Sequence, residues 1–172
     1  SLGGNIMGNY PRKFSHIGIS VKNIEEVVKW YNEVLGLYII MEPTLVKNEG
    51  DTAIGIMCQD VFGTEFADFK IAHMSTVDGV GLEFFEFPET KELRNEFNPY
   101  AQGIFHLCFQ DPDIDGLVEK ILNNGGKQRM PIRAYYPDDK PYKMVYMEDP
   151  FGHIIEIYTH SYELHYSSGV YK

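Results

Sequence analysis

Two histidines and two glutamates recur in matching settings along this chain. His16 opens the apolar run Ile17-Gly18-Ile19-Ser20-Val21, and His106 opens Leu107-Cys108-Phe109-Gln110, at an offset of 90 residues. The same offset pairs Ile24 with Ile114, Val27 with Leu117, Val28 with Val118 and Gly36 with Gly126. Each copy later places one glutamate in an apolar stretch, Gly81-Leu82-Glu83-Phe84-Phe85 in the first and Ile154-Ile155-Glu156-Ile157-Tyr158 in the second. Two imidazoles and two carboxylates suit a borderline divalent ion such as nickel, zinc, iron or manganese. His16, Glu83, His106 and Glu156 are the candidate metal ligands, and one divalent cation is the expected cofactor.

Strands must carry these groups on one face for them to meet. Side chains alternate across a strand, so Ile17, Ile19 and Val21 oppose His16, Gly18 and Ser20. Likewise Leu107 and Phe109 oppose His106, Cys108 and Gln110. Leu82 and Phe84 oppose Glu83 and Phe85, and Ile155 and Ile157 oppose Glu156 and Tyr158. In all four segments the apolar pair can pack on helices while the His or Glu faces a pocket of mixed polarity. Ser20, Phe85, Cys108, Gln110 and Tyr158 are the candidate substrate-binding residues. Cys108 lacks an activating base and reads as pocket lining. Glu86 competes with Glu83 but falls on the apolar face. His73, His153, His160 and His165 have no counterpart in the repeat; His160 shares the Glu156 face, where a surface role is expected.

Between these segments the pattern predicts helices. Asn23 caps the first, whose buried stripe is Ile24, Val27, Val28, Tyr31 and Leu35, with Gly36 as terminator. Asp113 caps the second, with Ile114, Leu117, Val118, Ile121 and Leu122 as its stripe. Strands are expected near Leu37–Glu42, Thr52–Cys58, Phe69–His73 and Gly81–Phe87. In the second copy they are expected near Ile104–Gln110, Gln128–Pro131, Lys143–Met147 and His153–His160. Gln59–Ala67 reads as a loop over a cleft, and Asp149-Pro150-Phe151-Gly152 as a turn. Residues 12–88 and 102–160 form two modules of one 12–160 domain, joined by linker 89–101 and followed by a 161–172 tail. Residues 1–6, ahead of Met7, read as an expression remnant.

Composition narrows the function. The net charge of −10 disfavours nucleic acid, whose phosphates need a basic surface. No apolar stretch reaches the roughly 18–20 residues of a membrane span, and no signal peptide is expected. Cys58 and Cys108 lack disulfide spacing, which suits free thiols in the cytoplasm.

The residues resemble the vicinal-oxygen-chelate superfamily, also called glyoxalase/bleomycin resistance/dioxygenase. The marks are His16 before its strand, Trp30-Tyr31 through Leu35-Gly36-Leu37, Glu83, His106, Asn124-Gly125-Gly126, and Glu148-Asp149-Pro150-Phe151-Gly152 leading to Glu156. The resemblance implies an α+β fold of two βαβββ modules curling around a metal cleft. Its His/Glu/His/Glu quartet is similar to that of bacterial glyoxalase I. It implies a lyase or isomerase in which the metal stabilises an enediolate and Glu156, or alternatively Glu83, moves the proton as the catalytic group. Glutathione-dependent members carry Arg where Ser20 stands and Asn where Phe87 stands. A small carbonyl, hydroxy-acid or phenolic substrate therefore fits better than a glutathione adduct. The alternatives are an Fe(II) extradiol-type dioxygenase and a non-enzymatic resistance protein that binds a small molecule. A homodimer is expected.

Overall fold

The structure is a computed structural model that describes residues 10–91 and 97–167. Expectations for residues 1–6, the middle of the linker and the last five tail residues lie outside the described residues. The chain divides into two compact units. One runs to Thr90 apart from Glu33–Leu35; the other comprises Glu33–Leu35 and the chain from Lys91 onward.

The first unit is ordered β1 (His16–Ser20), α1 (Ile24–Glu33), β2 (Tyr38–Val46), α2 (Ala53–Phe62), β3 (Phe69–Ser75) and β4 (Gly81–Glu86). Its sheet has the order β1-β4-β3-β2, with β1 parallel to β4 and the other pairs antiparallel. The second unit runs β5 (Leu107–Gln110), α3 (Ile114–Asn123), β6 (Lys127–Gln128), β7 (Arg133–Ala134), β8 (Lys143–Glu148), β9 (Ile154–Tyr158) and α4 (Tyr162–Ser167). Its sheet has the order β5-β9-β8-β6, with β7 also paired to β8. Here too the first strand is parallel to the last. Both units thus follow the expected βαβββ plan, with extra elements. Among the described residues, no helix is long and apolar enough to cross a membrane.

Helices α1 and α3 begin as the sequence dictates. Asn23 accepts the Glu26 N–H at 3.3 Å, and Asp113 accepts the Gly116 N–H at 3.1 Å. A second group completes the start of α1: Glu86 Oε2 accepts the Ile24 N–H at 2.8 Å. A carboxylate is favoured there because the first helical N–H groups lack intrahelical partners and carry partial positive charge. Glu86 therefore serves the apolar face of its strand as a tether for the helix. Ile24, Val27, Val28 and Tyr31 are buried, and the Tyr31 ring packs 5.3 Å from that of Phe84. Val34 is the last buried residue of that stripe, while Leu35 is half-buried. On α3, Ile114, Leu117, Val118 and Ile121 are buried and Leu122 is exposed.

Both helices end in a left-handed residue, but the repeat slips by one. Gly36 has φ +71°, whereas in the second unit the left-handed residue is Gly125, at φ +85°. Gly126, the residue at the 90-residue offset, is instead required for close packing: a Cβ there would lie 2.3 Å from the Ile121 side chain.

The main departure is α2. Thr52–Cys58 is not a strand, and the expected loop at Gln59–Ala67 begins as helix. Thr52 caps α2 by accepting the Gly55 N–H at 3.0 Å, and the Gly63 N–H closes it on the Gln59 carbonyl. The helix lies on the sheet face opposite α1. There Cys58 and Phe66 join Phe69, with Ile71, Phe85 and Phe87 packed against them. The 2.9 Å bonds from the Asn48 side chain to the Thr64 and Phe66 carbonyls hold the chain leaving α2. β2 is also longer than expected, and its register shifts between Met41 and Thr44. Pro43 falls in that gap, where a residue with no N–H is tolerated. In the second unit β5 and β9 are shorter than expected: His106 precedes β5, and β9 runs from Ile154 to Tyr158, while β8 extends one residue further, to Glu148.

α2 can approach only because residue 55 is glycine. A Cβ at Gly55 would lie 1.6 Å from the Glu49 carbonyl oxygen. Gly55→Ala should lower stability by about 1–3 kcal/mol through forced displacement of that turn. A urea midpoint unchanged from wild type would show that the helix does not sit against residue 49.

Candidate active site

Each unit presents one His–Glu pair, and both pairs arise from the same register. In the first sheet Glu83 stands opposite Gly18, two residues beyond His16. In the second Glu156 stands opposite Cys108, two residues beyond His106. His16 Nε2 lies 3.8 Å from Glu83 Oε2, and His106 Nε2 lies 3.4 Å from Glu156 Oε1. The duplicated spacing in the sequence thus becomes duplicated geometry. Among the described residues no group of three or more His, Cys, Asp or Glu side chains is placed to hold a metal ion. Each pair brings one imidazole and one carboxylate together within its own unit.

The pairs differ in their surroundings. In the first unit Glu83 lies in an apolar cavity of about 660 Å³ between α2 and the sheet, with Phe85, Ile71 and Met57 among its walls. His73, unassigned in the sequence, faces Glu83 directly across β3 and β4. Its Nδ1 is 3.6 Å from Glu83 Oε2. The alternation Ala72-His73-Met74 carried the signal for this placement, but the absence of a repeat counterpart concealed it. Ser20 lines neither this cavity nor the one described next.

In the second unit His106, Cys108, Gln110, Glu156 and Tyr158 all line a cavity of about 700 Å³. His160 lines it too, so its expected surface role is replaced by a place at the pocket. Tyr135, Tyr146 and Tyr166 complete much of the aromatic wall; tyrosine content alone gave no position for them. Glu156 is only 5% exposed, and among the described residues no Lys or Arg lines its cavity. Burial is the main reason its pKa is pushed up to about 7, with a Cys108 hydrogen bond pulling the other way. Burial also lowers the pKa of His106, which keeps the imidazole neutral and its lone pair available. The Cys108 thiol is raised by the packing around it and by the adjacent Glu156 charge. It stays protonated at neutral pH, consistent with lining rather than nucleophilic attack.

The turn ahead of β9 is built by Asp149. Its Oδ1 accepts the N–H groups of Phe151 and His153 at 2.9 and 2.8 Å. Its Oδ2 meets His153 Nδ1 at 2.9 Å, and Gly152 takes φ +93°. His153 is thereby committed to the turn, leaving the His–Glu pair as the chemical feature of β9.

The fold and its two His–Glu pairs define a duplicated βαβββ protein. Residues 13–157 match the model of the Glyoxalase/Bleomycin resistance protein/Dioxygenase superfamily, and the chain belongs to that superfamily. A glyoxalase family protein from Bacillus cereus is similar in structure, with TM-score 0.71 and 20% identity over 90% of this chain and 97% of that one. A glyoxalase/dioxygenase from Nostoc punctiforme gives TM-score 0.57 and 24% identity, covering 94% and 99%. A fosfomycin resistance protein from Mesorhizobium loti gives TM-score 0.56 and 14% identity, covering 92% and 99%. At these identities the likeness is one of fold. None of the curated proteins compared with the chain matches it.

The raised Glu156 pKa makes stability depend on pH. The unfolded carboxyl ionises near 4.5 and the folded one near 7. The folded state binds the extra proton between those values, so stability falls as pH rises through that window. Above about pH 7 the full cost is on the order of 3 kcal/mol. Glu156→Gln should therefore be more stable than wild type at pH 8 and nearly equal to it at pH 4.5, in chelator-treated protein followed by urea unfolding. Equal differences at both pH values would show that the carboxyl is not held neutral.

Proposed function

We propose that the protein is a divalent-metal-dependent lyase or isomerase of glyoxalase type, acting on a small carbonyl or hydroxy compound without a glutathione requirement. The carrying observation is the identical register of His16 with Glu83 and His106 with Glu156. The donors fit a metal: two imidazoles, one of them kept neutral by burial, and two carboxylates. Glu156 is buried with no Lys or Arg among the described residues of its cavity, so a cation there would relieve the cost of its charge. His16, Glu83, His106 and Glu156 are the proposed ligands, and a homodimer is the proposed assembly that unites such pairs. When bound, the metal supplies Lewis-acid polarisation of neighbouring substrate oxygens.

The chain's own residues supply the remainder. Glu156 accepts a proton from the carbon beside the substrate carbonyl and returns it. Glu83 is the alternative base, with His73 beside its carboxylate. The aromatic walls exclude water, and Gln110 and Cys108 border the bound molecule with neutral polar groups. Ser20 and Phe87 stand where glutathione-dependent relatives carry Arg and Asn, which supports a substrate lacking the tripeptide. A four-donor set leaves less room for dioxygen than a three-donor one, so a dioxygenase is the weaker reading. A binding protein without catalysis would not need paired donors.

Metal analysis after purification without added metal tests the ligand assignment. His106→Ala and Glu83→Ala should each lower metal content at least tenfold, with little change in the melting curve. Glu86→Ala should do the reverse, keeping the metal but losing about 1 kcal/mol of stability through its helix tether. Full metal content in both His106→Ala and Glu83→Ala would refute the quartet.

A further inference from the structure

The hydroxyls of Tyr135, Tyr158 and Tyr166 meet at one point of the Glu156 cavity. Tyr135 donates to Tyr158 at 2.7 Å, Tyr135 and Tyr166 are 3.1 Å apart, and Tyr158 and Tyr166 are also hydrogen-bonded. All three line the cavity. Tyr158 lies two residues beyond Glu156 on the same strand face, so the cluster sits about 7 Å along the strand from the carboxylate position. Tyr158 and Tyr166 both fall beyond residues 13–157, the span that matches the superfamily.

Its chemistry is selective. A phenolic hydroxyl can both donate and accept a hydrogen bond, and the three here do so with one another. Among the described residues no Lys or Arg lines the cavity, and an anionic group would add its charge to that of Glu156. An uncharged oxygen meets neither problem. The rings are also fixed from behind. His165 is fully buried, stacks on Tyr158 with centroids 4.1 Å apart, and meets Tyr135 edge-on at 4.7 Å. Neither of its ring nitrogens has a hydrogen-bond partner among the described residues. Burying them unpaired opposes docking of α4, while the Tyr136 hydroxyl on the His165 carbonyl (3.0 Å) and the Tyr166 hydroxyl favour it. The helix that delivers Tyr166 is therefore held with opposing contributions, and a ligand bonded to the cluster adds to the docked side.

We propose that Tyr135, Tyr158 and Tyr166 form a distal subsite that hydrogen-bonds an uncharged hydroxyl or carbonyl oxygen on a ring-bearing substrate, with α4 as the specificity element that closes it. This rests on the reading of the Glu156 cavity as the substrate pocket, yet it is testable without metal. The probe is 4-nitrophenol, whose visible absorbance distinguishes neutral phenol from phenolate, titrated into the chelator-treated full chain. The expected result is binding with loss of the phenolate band, weakened about tenfold by Tyr158→Phe and by Tyr166→Phe, as loss of one hydrogen bond of about 1.4 kcal/mol would give. Tyr142→Phe, which packs on His165 from outside the cavity lining, should bind as wild type does. Saturation should also slow amide exchange across α4. Circular dichroism of each variant confirms that it is folded. Absence of binding, binding as phenolate, or equal affinity in folded Tyr158→Phe, Tyr166→Phe and wild type overturns the subsite. Failure of the metal reading appears separately, as metal content insensitive to His106→Ala and Glu83→Ala, and leaves the probe result standing.

Discussion

The parallel pairing of first and last strand in each unit is the constraint on which the candidate site depends. Parallel neighbours cannot be joined by a tight turn, so a helix and further strands must intervene. That crossover lets a histidine early in the unit stand beside a glutamate late in it. The register does the rest. With Glu83 opposite Gly18 and Glu156 opposite Cys108, each glutamate points to the face of the histidine two residues upstream. A slip of one residue would turn every ligand to the helix-packed side. The buried rows Leu82/Phe84 and Ile155/Ile157 prevent this, because the same slip would expose them.

The two halves keep this device while diverging around it. In the first, α2 brings an apolar cover and the pair remains partly exposed, with His73 as a third neighbour. In the second, the chain spends two short strands, β6 and β7, where the first has a helix, and closes the pocket with α4. The result is one open pair beside apolar walls and one buried pair beside phenols.

Much of this was legible because it rests on rules that act over few residues. Strand alternation put each candidate His and Glu on the face opposite its apolar neighbours and Glu86 on the other, and the structure gives Glu86 a physical role at the start of α1. Asn23, Asp113 and the Asp149 turn announced themselves through side chains that satisfy nearby N–H groups. The misses share a different cause. Ala53–Phe62 is apolar nearly throughout, so its helical period is faint and a buried strand reads equally well; the deciding facts are the Thr52 cap and the close approach of Gly55 to Glu49. His73 and Tyr135 become pocket residues only through partners distant in sequence. Tyr166 and His165 lie in a tail with no repeat to compare, and their placement depends on tertiary contacts with Tyr158.

The Asp149 turn has a consequence for the order in which the second unit can assemble. It joins β8 to β9 through contacts between near neighbours, so this hairpin closes a short loop. Bringing β5 beside β9 must instead close the long excursion through α3, at a greater entropic cost. Glu156 can thus be set in its hairpin early, while His106 arrives only with that late closure. The pair is a built-in reporter of completed folding: a chain arrested before the final strand docks has the carboxylate in position and nothing for it to work with.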